Sequence, residues 1–343
     1  MSRITLIDLL PSDIQESSRH LLRLLTHKFQ NKTEFSLNFR KVDTPATEKG
    51  DYLSGEIHLS YGCNCLLILN NDHLFIFDLT RKNLLAKYDT KHNWDCIDVE
   101  EDVTFGREPG GRDSIIVSFT MNRQYILQKF DLHQFIDAIL KNTDPLELSA
   151  FHWTSTLTTQ VRGMCIENSN SSPAYIYIHD TECISIVNST NGQFLGQLPF
   201  YNATSSIPFT FPSIARCAFH NQYLYVSDNS NHKIYILKKE QKANMDEQQH
   251  SSAFRLQGTI KRQTNKGINY CSPTDVCIEE SNGRIFVCTV VSEKDDYGKV
   301  MVFSQEGKTL LREEYIEKLR HICLNRVTNE LIACCGRKIE VFK

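Results

Sequence analysis

The sequence predicts an all-β chain, a six-bladed β-propeller of four-stranded antiparallel blades closed by an N-terminal strand and preceded by an N-terminal amphipathic helix. Three observations carry that prediction. From residue 56 onward, strand-sized apolar segments fall into six groups, five of four strands and a last one of three. A cysteine recurs at one place in the first strands of four groups, in RGMCIE (Cys165), IARCAF (Cys217), TDVCIE (Cys277) and RHICLN (Cys323). A strand-like segment left over near the N-terminus, FSLNFRKV, supplies the strand that the last group lacks, and closure of that kind removes both exposed sheet edges.

The elements follow in chain order. Pro11 to Lys28 reads as a helix that Ser12 caps, with an apolar stripe of Ile14, Leu21, Leu22, Leu24, Leu25 and Phe29, so residues 1–34 are expected to form a helical appendage. Its plain reading is packing on the main domain, and its sharper reading is a docking helix for a partner. Residues 35–343 then form the propeller, with 35–42 completing the last blade.

The first group has strands near Glu56–Ser60, Leu66–Leu69, Leu74–Leu79 and Leu84–Tyr88. The second has Cys96–Glu100, Ser114–Phe119 and Gln124–Phe130, then a helical insert from His133 to Leu140 before a fourth strand near Leu146–Trp153. Gly163–Glu167, Tyr175–Ile178, Cys183–Val187 and Phe194–Leu198 make the third. In the fourth, Ala215–Phe219 precedes the hairpin Tyr223–Leu237, and Phe254–Thr259 completes it. The fifth has Asp275–Glu279, Arg284–Thr289, Val300–Phe303 and Leu310–Tyr315, and the sixth His321–Leu324, Leu331–Cys334 and Ile339–Phe342.

The hairpin YLYVSDNSNHKIYIL has apolar residues on both faces, which requires cover on both sides, and a turn of Asp, Asn and Ser side chains that bond their own backbone. With Pro212 ahead of it, and with Asp228, Asn231, His232 and Ile234 in it, this fourth group resembles the repeat of the NHL family of six-bladed propellers. Pro273, Thr274, Asp275 and Val276 match the opening of the same repeat in the fifth group. The other groups keep the strand rhythm and lack the Asp and the Asn-His pair. The resemblance implies a six-bladed propeller. Some NHL propellers bind single-stranded RNA, and many carry a Cys/His zinc-binding domain ahead of the propeller, which this chain does not show.

Bulk composition excludes several classes. Hydrophobic residues at 41% and charged residues at 23% of 343 are those of a globular core-forming chain, and a net charge of −3 gives no general attraction to phosphate backbones or anionic membranes. No run approaches the roughly 18 apolar residues of a membrane span, and the expected location is cytoplasmic. Twelve cysteines are too sparse for a disulfide scaffold and are expected to be reduced.

No constellation of catalytic residues stands out. Cys63-x-Cys65 and Cys334-Cys335 lack the spacing of a tetrahedral zinc grip, and no Cys-x-x-Cys occurs. His58, His220 and His321 lie in or just after first strands, near the axis, but at non-equivalent repeat positions, so they need not converge. GREPGGRD, Gly106 to Asp113, lies between strands, opens no helix and reads as a rim loop, and SEKDDYG, Ser292 to Gly298, lacks calcium-loop spacing and reads as a solvated tip. Arg162, Arg216 and Arg320 precede or sit in the first strands of three blades and form the most pointed charge pattern. The expected binding residues, at the channel mouth, are Arg162, Arg216, Asp275, Arg320 and His321, with no catalytic residue, metal or cofactor assigned. The functional expectation is a non-enzymatic protein-interaction scaffold with its partner, another protein, at the channel mouth and rim loops. The alternatives are a metal-assisted hydrolase or lyase with ligands in the channel, and a single-stranded RNA-binding propeller, which the acidic balance disfavours.

Overall fold

The structure is a computed structural model that describes residues 35–37, 39–43, 53, 55–70, 72–102, 112–148, 151–167, 174–202, 209–211, 213–240, 253–261, 272–292 and 297–343. Pro212, the helix expected at 11–28 and the whole expected appendage 1–34 lie outside the described residues.

Six antiparallel meanders follow one another along the chain. The first blade is β2 (Glu56–Ser60), β3 (Cys65–Asn70), β4 (His73–Asp78) and β5 (Leu84–Asp89). The second is β6 (Asn93–Glu100), β7 (Ser114–Met121), β8 (Gln124–Asp131) and β9 (Phe151–Leu157). The third is β10 (Gly163–Ile166), β11 (Tyr175–His179), β12 (Ile184–Asn188) and β13 (Phe194–Gln197). The fourth joins β15 (Ile214–His220), β16 (Tyr223–Asp228), β17 (Lys233–Glu240) and β18 (Ala253–Lys261), with β14 (Phe200–Tyr201) added outside. The fifth is β19 (Ser272–Ile278), β20 (Ile285–Ser292), β21 (Tyr297–Phe303) and β22 (Leu310–Glu317). The sixth is β23 (Leu319–Asn325), β24 (Glu330–Cys335), β25 (Lys338–Phe342) and, from the other end of the chain, β1 (Lys41–Asp43).

The first strand of each blade touches the first strand of the next, and β23 touches β2, so the six inner strands close a ring. Between each pair of neighbouring blades lies an apolar cluster. Leu67 and Ile76 pack on Ile97 and Val117 between blades one and two, and Ile332 and Val341 pack on Leu66 and Phe75 between six and one. Alternating side chains of one strand point to opposite faces, so the inner strands of blades two to six each feed two such clusters, whereas β2 feeds one through Ile57 and Leu59 and turns Glu56, His58 and Ser60 the other way.

Closure differs in detail from the expected pairing of 35–42. Among the described residues of that segment the end pairs: Lys41 lies opposite Phe342, and Arg40 and Lys343 exchange two backbone hydrogen bonds of 2.9 Å. Phe39 has φ of +47°, a conformation that no strand continues through. The earlier residues therefore work as an apolar wedge. Phe35 and Phe39 are buried with their rings edge to face at 5.3 Å, and Phe35 meets Phe286 of blade five in the same way. Arg284 Nη1 donates to the Phe35 carbonyl, which fixes the wedge between blades five and six.

Two further differences have local causes. The fourth strand of blade two begins at Phe151, because Pro145 starts a 3-10 turn, Pro145–Glu147, whose Leu146 amide is capped by the Asp144 side chain. The preceding insert is helix α1 (Leu132–Leu140), capped by Asp131 and seated by Leu132 and Phe135 against Phe130 and Trp94. Strand β14 was not legible in the sequence. It pairs parallel to β18, held by an aromatic cluster of Phe200, Phe209, Phe211 and Tyr235.

Candidate functional site in the central channel

The inner strands share a local irregularity that builds the site. In four blades the pairing of the first two strands slips by one residue near its start: between Trp94 and Cys96, Ile214 and Arg216, Pro273 and Asp275, and Leu319 and His321. A bulge re-aims the side chain that follows it. Arg216, Asp275 and His321, each just after a bulge, meet at one level of the channel.

Arg216 is the centre of this level and is 7% exposed. Its Nη1 pairs with Glu56 Oε1, its Nη2 lies 3.2 Å from His58 Nε2, and its Nε lies 3.7 Å from Asp275 Oδ1. Asp275 Oδ2 accepts from the Ile322 amide at 3.1 Å and sits 3.3 Å from His321 Nδ1. His58 Nδ1 lies 2.8 Å from Asp98 Oδ1, which also accepts from the Val99 amide. Blades one, two, four, five and six thus contribute to one buried ion network.

Blade three contributes from its second strand. His179 lies opposite Gly163, and a Cβ on Gly163 would stand 2.4 Å from His179 Nε2, so the missing side chain makes room for the imidazole. His179 is 1% exposed, and its Nδ1 lies 3.0 Å from the Asp180 carbonyl, which assigns the proton to Nδ1. Nε2 is left without a hydrogen-bond partner.

The protonation states follow from burial and neighbours. Burial would raise the Glu56 carboxyl, but the Arg216 charge and the neighbouring His58 outweigh it and hold the pKa down at about 2. Burial would lower His58, yet the Asp98 and Glu56 carboxylates win and hold it above its usual value. His179 has no such carboxylate in contact, and burial takes it down to about 4, so it is neutral near pH 7. Burial pushes the thiols of Cys165, Cys277 and Cys323 up, which keeps them protonated and poor as nucleophiles or soft-metal ligands.

Above this floor a cavity of about 160 Å³ runs along the channel. Its wall carries the four aligned cysteines, and its far end is marked by Tyr61, Glu101, His220 and Arg326, at or just past the ends of inner strands. The Tyr61 hydroxyl accepts from the Arg326 amide at 2.8 Å, and Arg326 Nη1 bridges Glu280 at 2.6 Å and Glu101 at 3.4 Å. Among the described residues, no three His, Cys, Asp or Glu side chains are grouped to hold a metal ion, and no helix is long and apolar enough to cross a membrane.

Of the five sequence-selected residues, the structure brings together Arg216, Asp275 and His321. Arg162 is exposed and precedes β10, meeting blade three through its amide bond to the His179 carbonyl. Arg320 is the extra residue of its bulge, and its carbonyl accepts from Thr274 Oγ1 and Cys288 Sγ at 3.3 Å. Neither lines the cavity, which opens away from them. The three axial histidines also divide: His58 and His321 converge on the network despite their non-equivalent repeat positions, and His220 lies at the cavity's far end, 2.8 Å from Asn221. Glu56, Asp98 and His179 were missed. The one available signal was Gly163, a glycine inside a strand at the repeat position where blades five and six carry Asp275 and His321.

The turn Asp228 to His232 does different work. Asp228 is fully buried, and its carboxylate accepts from the Asn231 amide at 3.0 Å and from Asn231 Nδ2 at 2.9 Å. His232 lies 3.1 Å from Ser272 of the next blade. These are staples of the turn and of the blade junction.

No known family profile matches the sequence, and no curated protein matches it either. Among solved structures, the chain is similar to the β-propeller domain of Cps50 (Swd1) from Myceliophthora thermophila, with 11% identity, a TM-score of 0.56, and coverage of 89% of this chain and 99% of that one. The N-terminal part of BBS1, solved in complex with ARL6, gives 10% identity and a TM-score of 0.47 over 83% of this chain and 76% of that one. At such identity the first likeness carries the fold alone, and the chain is a six-bladed β-propeller of four-stranded antiparallel blades closed by its N-terminal strand.

Proposed function

We propose that this chain is a non-enzymatic protein-interaction scaffold built on an NHL-like propeller, acting in the cytoplasm. The observation that carries this reading is the cavity at the channel end. Its far end combines charged and hydrogen-bonding groups from four blades, Tyr61, Glu101, His220 and Arg326, at the end of a cavity of about 160 Å³. The floor residues Arg216, Asp275 and His321 set the electrostatics beneath it, and Arg162 and Arg320 mark the opposite end of the channel. The Asp228–Asn231 turn offers no comparable opening, which separates the NHL-like motif from the recognition surface.

Burial holds the thiols of Cys165 and Cys277 protonated, and His58 and His321 face the carboxylates of Asp98 and Asp275, so the wall supplies contact and charge without a prepared nucleophile. Lysate capture with the wild type and with a Glu101→Lys, His220→Glu double variant tests the reading. Proteins retained by the wild type and lost by the variant are the expected result. Equal capture by both, or turnover of lactone or phosphoester substrates that the double variant abolishes, overturns it.

A further inference from the structure

The Nε2 atom of His58 faces two neighbours that demand opposite things of it. Arg216 Nη2, 3.2 Å away, carries only hydrogens and bonds Nε2 when that nitrogen offers a lone pair. Glu56 Oε2, 3.5 Å away, offers only lone pairs and bonds Nε2 when that nitrogen carries a proton. The other ring nitrogen, Nδ1, faces the Asp98 carboxylate at 2.8 Å and holds a proton in either case. Glu56 Oε2 is enclosed and has no hydrogen-bond partner as the side chains stand. An orphaned carboxylate oxygen beside a titratable nitrogen is a bond waiting for one proton.

We propose that His58 is a proton-driven switch at the channel floor: the neutral imidazole accepts from Arg216, and the protonated imidazole donates to Glu56 while Arg216 turns toward Asp275. The second position already exists. Arg216 Nε stands 3.7 Å from Asp275 Oδ1, so a shift of about 1 Å brings it to hydrogen-bond length. Arg216 keeps its pairing with Glu56 Oε1 in both states, which confines the motion to a tilt of the guanidinium plane.

The groups around the switch come from every strand packed on it. Glu56 lies on the same strand, Asp98 and Cys96 on β6, His179 on β11, Arg216 on β15, Asp275 on β19 and His321 on β23. Asp98 and Glu56 favour the imidazolium, and Arg216 and burial oppose it. The balance lies on the raised side of the ordinary imidazole value. Because His58, Arg216 and Asp275 all line the cavity, the switch changes the charge geometry beneath any bound group. The inference needs no partner, so it stands or falls separately from the scaffold reading.

The test is a pH titration of the full chain, ¹⁵N-labelled, followed by NMR at the imidazole and guanidinium nitrogens from pH 5 to 9. A His58→Gln variant identifies the signals. The expected result is Nδ1 protonated throughout, Nε2 gaining its proton with a midpoint above 6.5, and the Arg216 signals moving with the same midpoint. In Glu56→Gln, which keeps the side-chain shape, the midpoint falls by about one pH unit, a tenfold loss of proton affinity. A wild-type midpoint at or below 6.5, Arg216 signals that stay fixed while His58 titrates, or an unmoved midpoint in Glu56→Gln overturns the proposal.

Discussion

The turn at Asp228–His232 and the channel floor around Arg216 are both crowded with polar side chains, and they sit on the same blade. In the turn the Asp228 carboxylate finds its partners in Asn231, three residues on, so those bonds shape one hairpin. At the floor Arg216 meets residues 158 positions away at His58 and 59 away at Asp275, so each bond ties blades together. Sequence-local polar residues build a loop, whereas polar residues gathered from distant strands build a site.

The largest expected effect comes from removing the central cation. Arg216→Leu leaves Glu56 and Asp275 buried without their counter-charge, and denaturant unfolding is expected to show a loss of about 3–5 kcal/mol. Asn231→Ala in the turn is expected to cost only about 1 kcal/mol, because it removes the side-chain bond to Asp228 and leaves the backbone amide bond to the same carboxylate in place. Equal losses at the two positions would erase the contrast.

Next in size is Gly163→Ala. The added methyl meets His179 at 2.4 Å and forces the imidazole aside, for an expected loss of about 1–3 kcal/mol and an upward movement of the His179 pKa as the ring is displaced toward water.

Acid sharpens the comparison further. His179 has a folded pKa below its unfolded value, so its contribution is present above pH 6.5 and is lost as pH falls toward 4; Glu56 behaves alike between 4.5 and 2. His58 has the opposite sign: its contribution is complete below pH 6.5 and is lost as pH rises through its raised folded value. Thermal midpoints of the wild type are expected to fall between pH 6.5 and 4, and His179→Gln is expected to flatten that part of the curve. An unchanged slope in the variant would show that the orphaned imidazole is not what acid attacks.

The fold was largely legible because it rests on features that repeat. Doubly apolar strands at regular spacing, the recurring cysteine and one missing strand are visible without any contact map, and each corresponds to an inner strand or to the closure. The site was legible in part. Arg216, Asp275 and His321 follow bulges that the sequence does not announce, and the same slip sets Arg320 apart from its neighbour His321. Glu56 and Asp98 look like ordinary strand carboxylates, and His179 acts through a neighbour's absent side chain. The β14 addition and the Phe35–Phe39 wedge depend on aromatic packing between segments far apart in the chain, which periodicity does not encode.

The most direct test of the claim that recognition belongs to the channel end is a three-way capture from native lysate, using the wild type, Asn231→Ala, and the Glu101→Lys, His220→Glu variant. The account predicts that the turn variant keeps the wild-type partners and that the cavity variant loses them. Partners lost from the turn variant and kept by the cavity variant would contradict it.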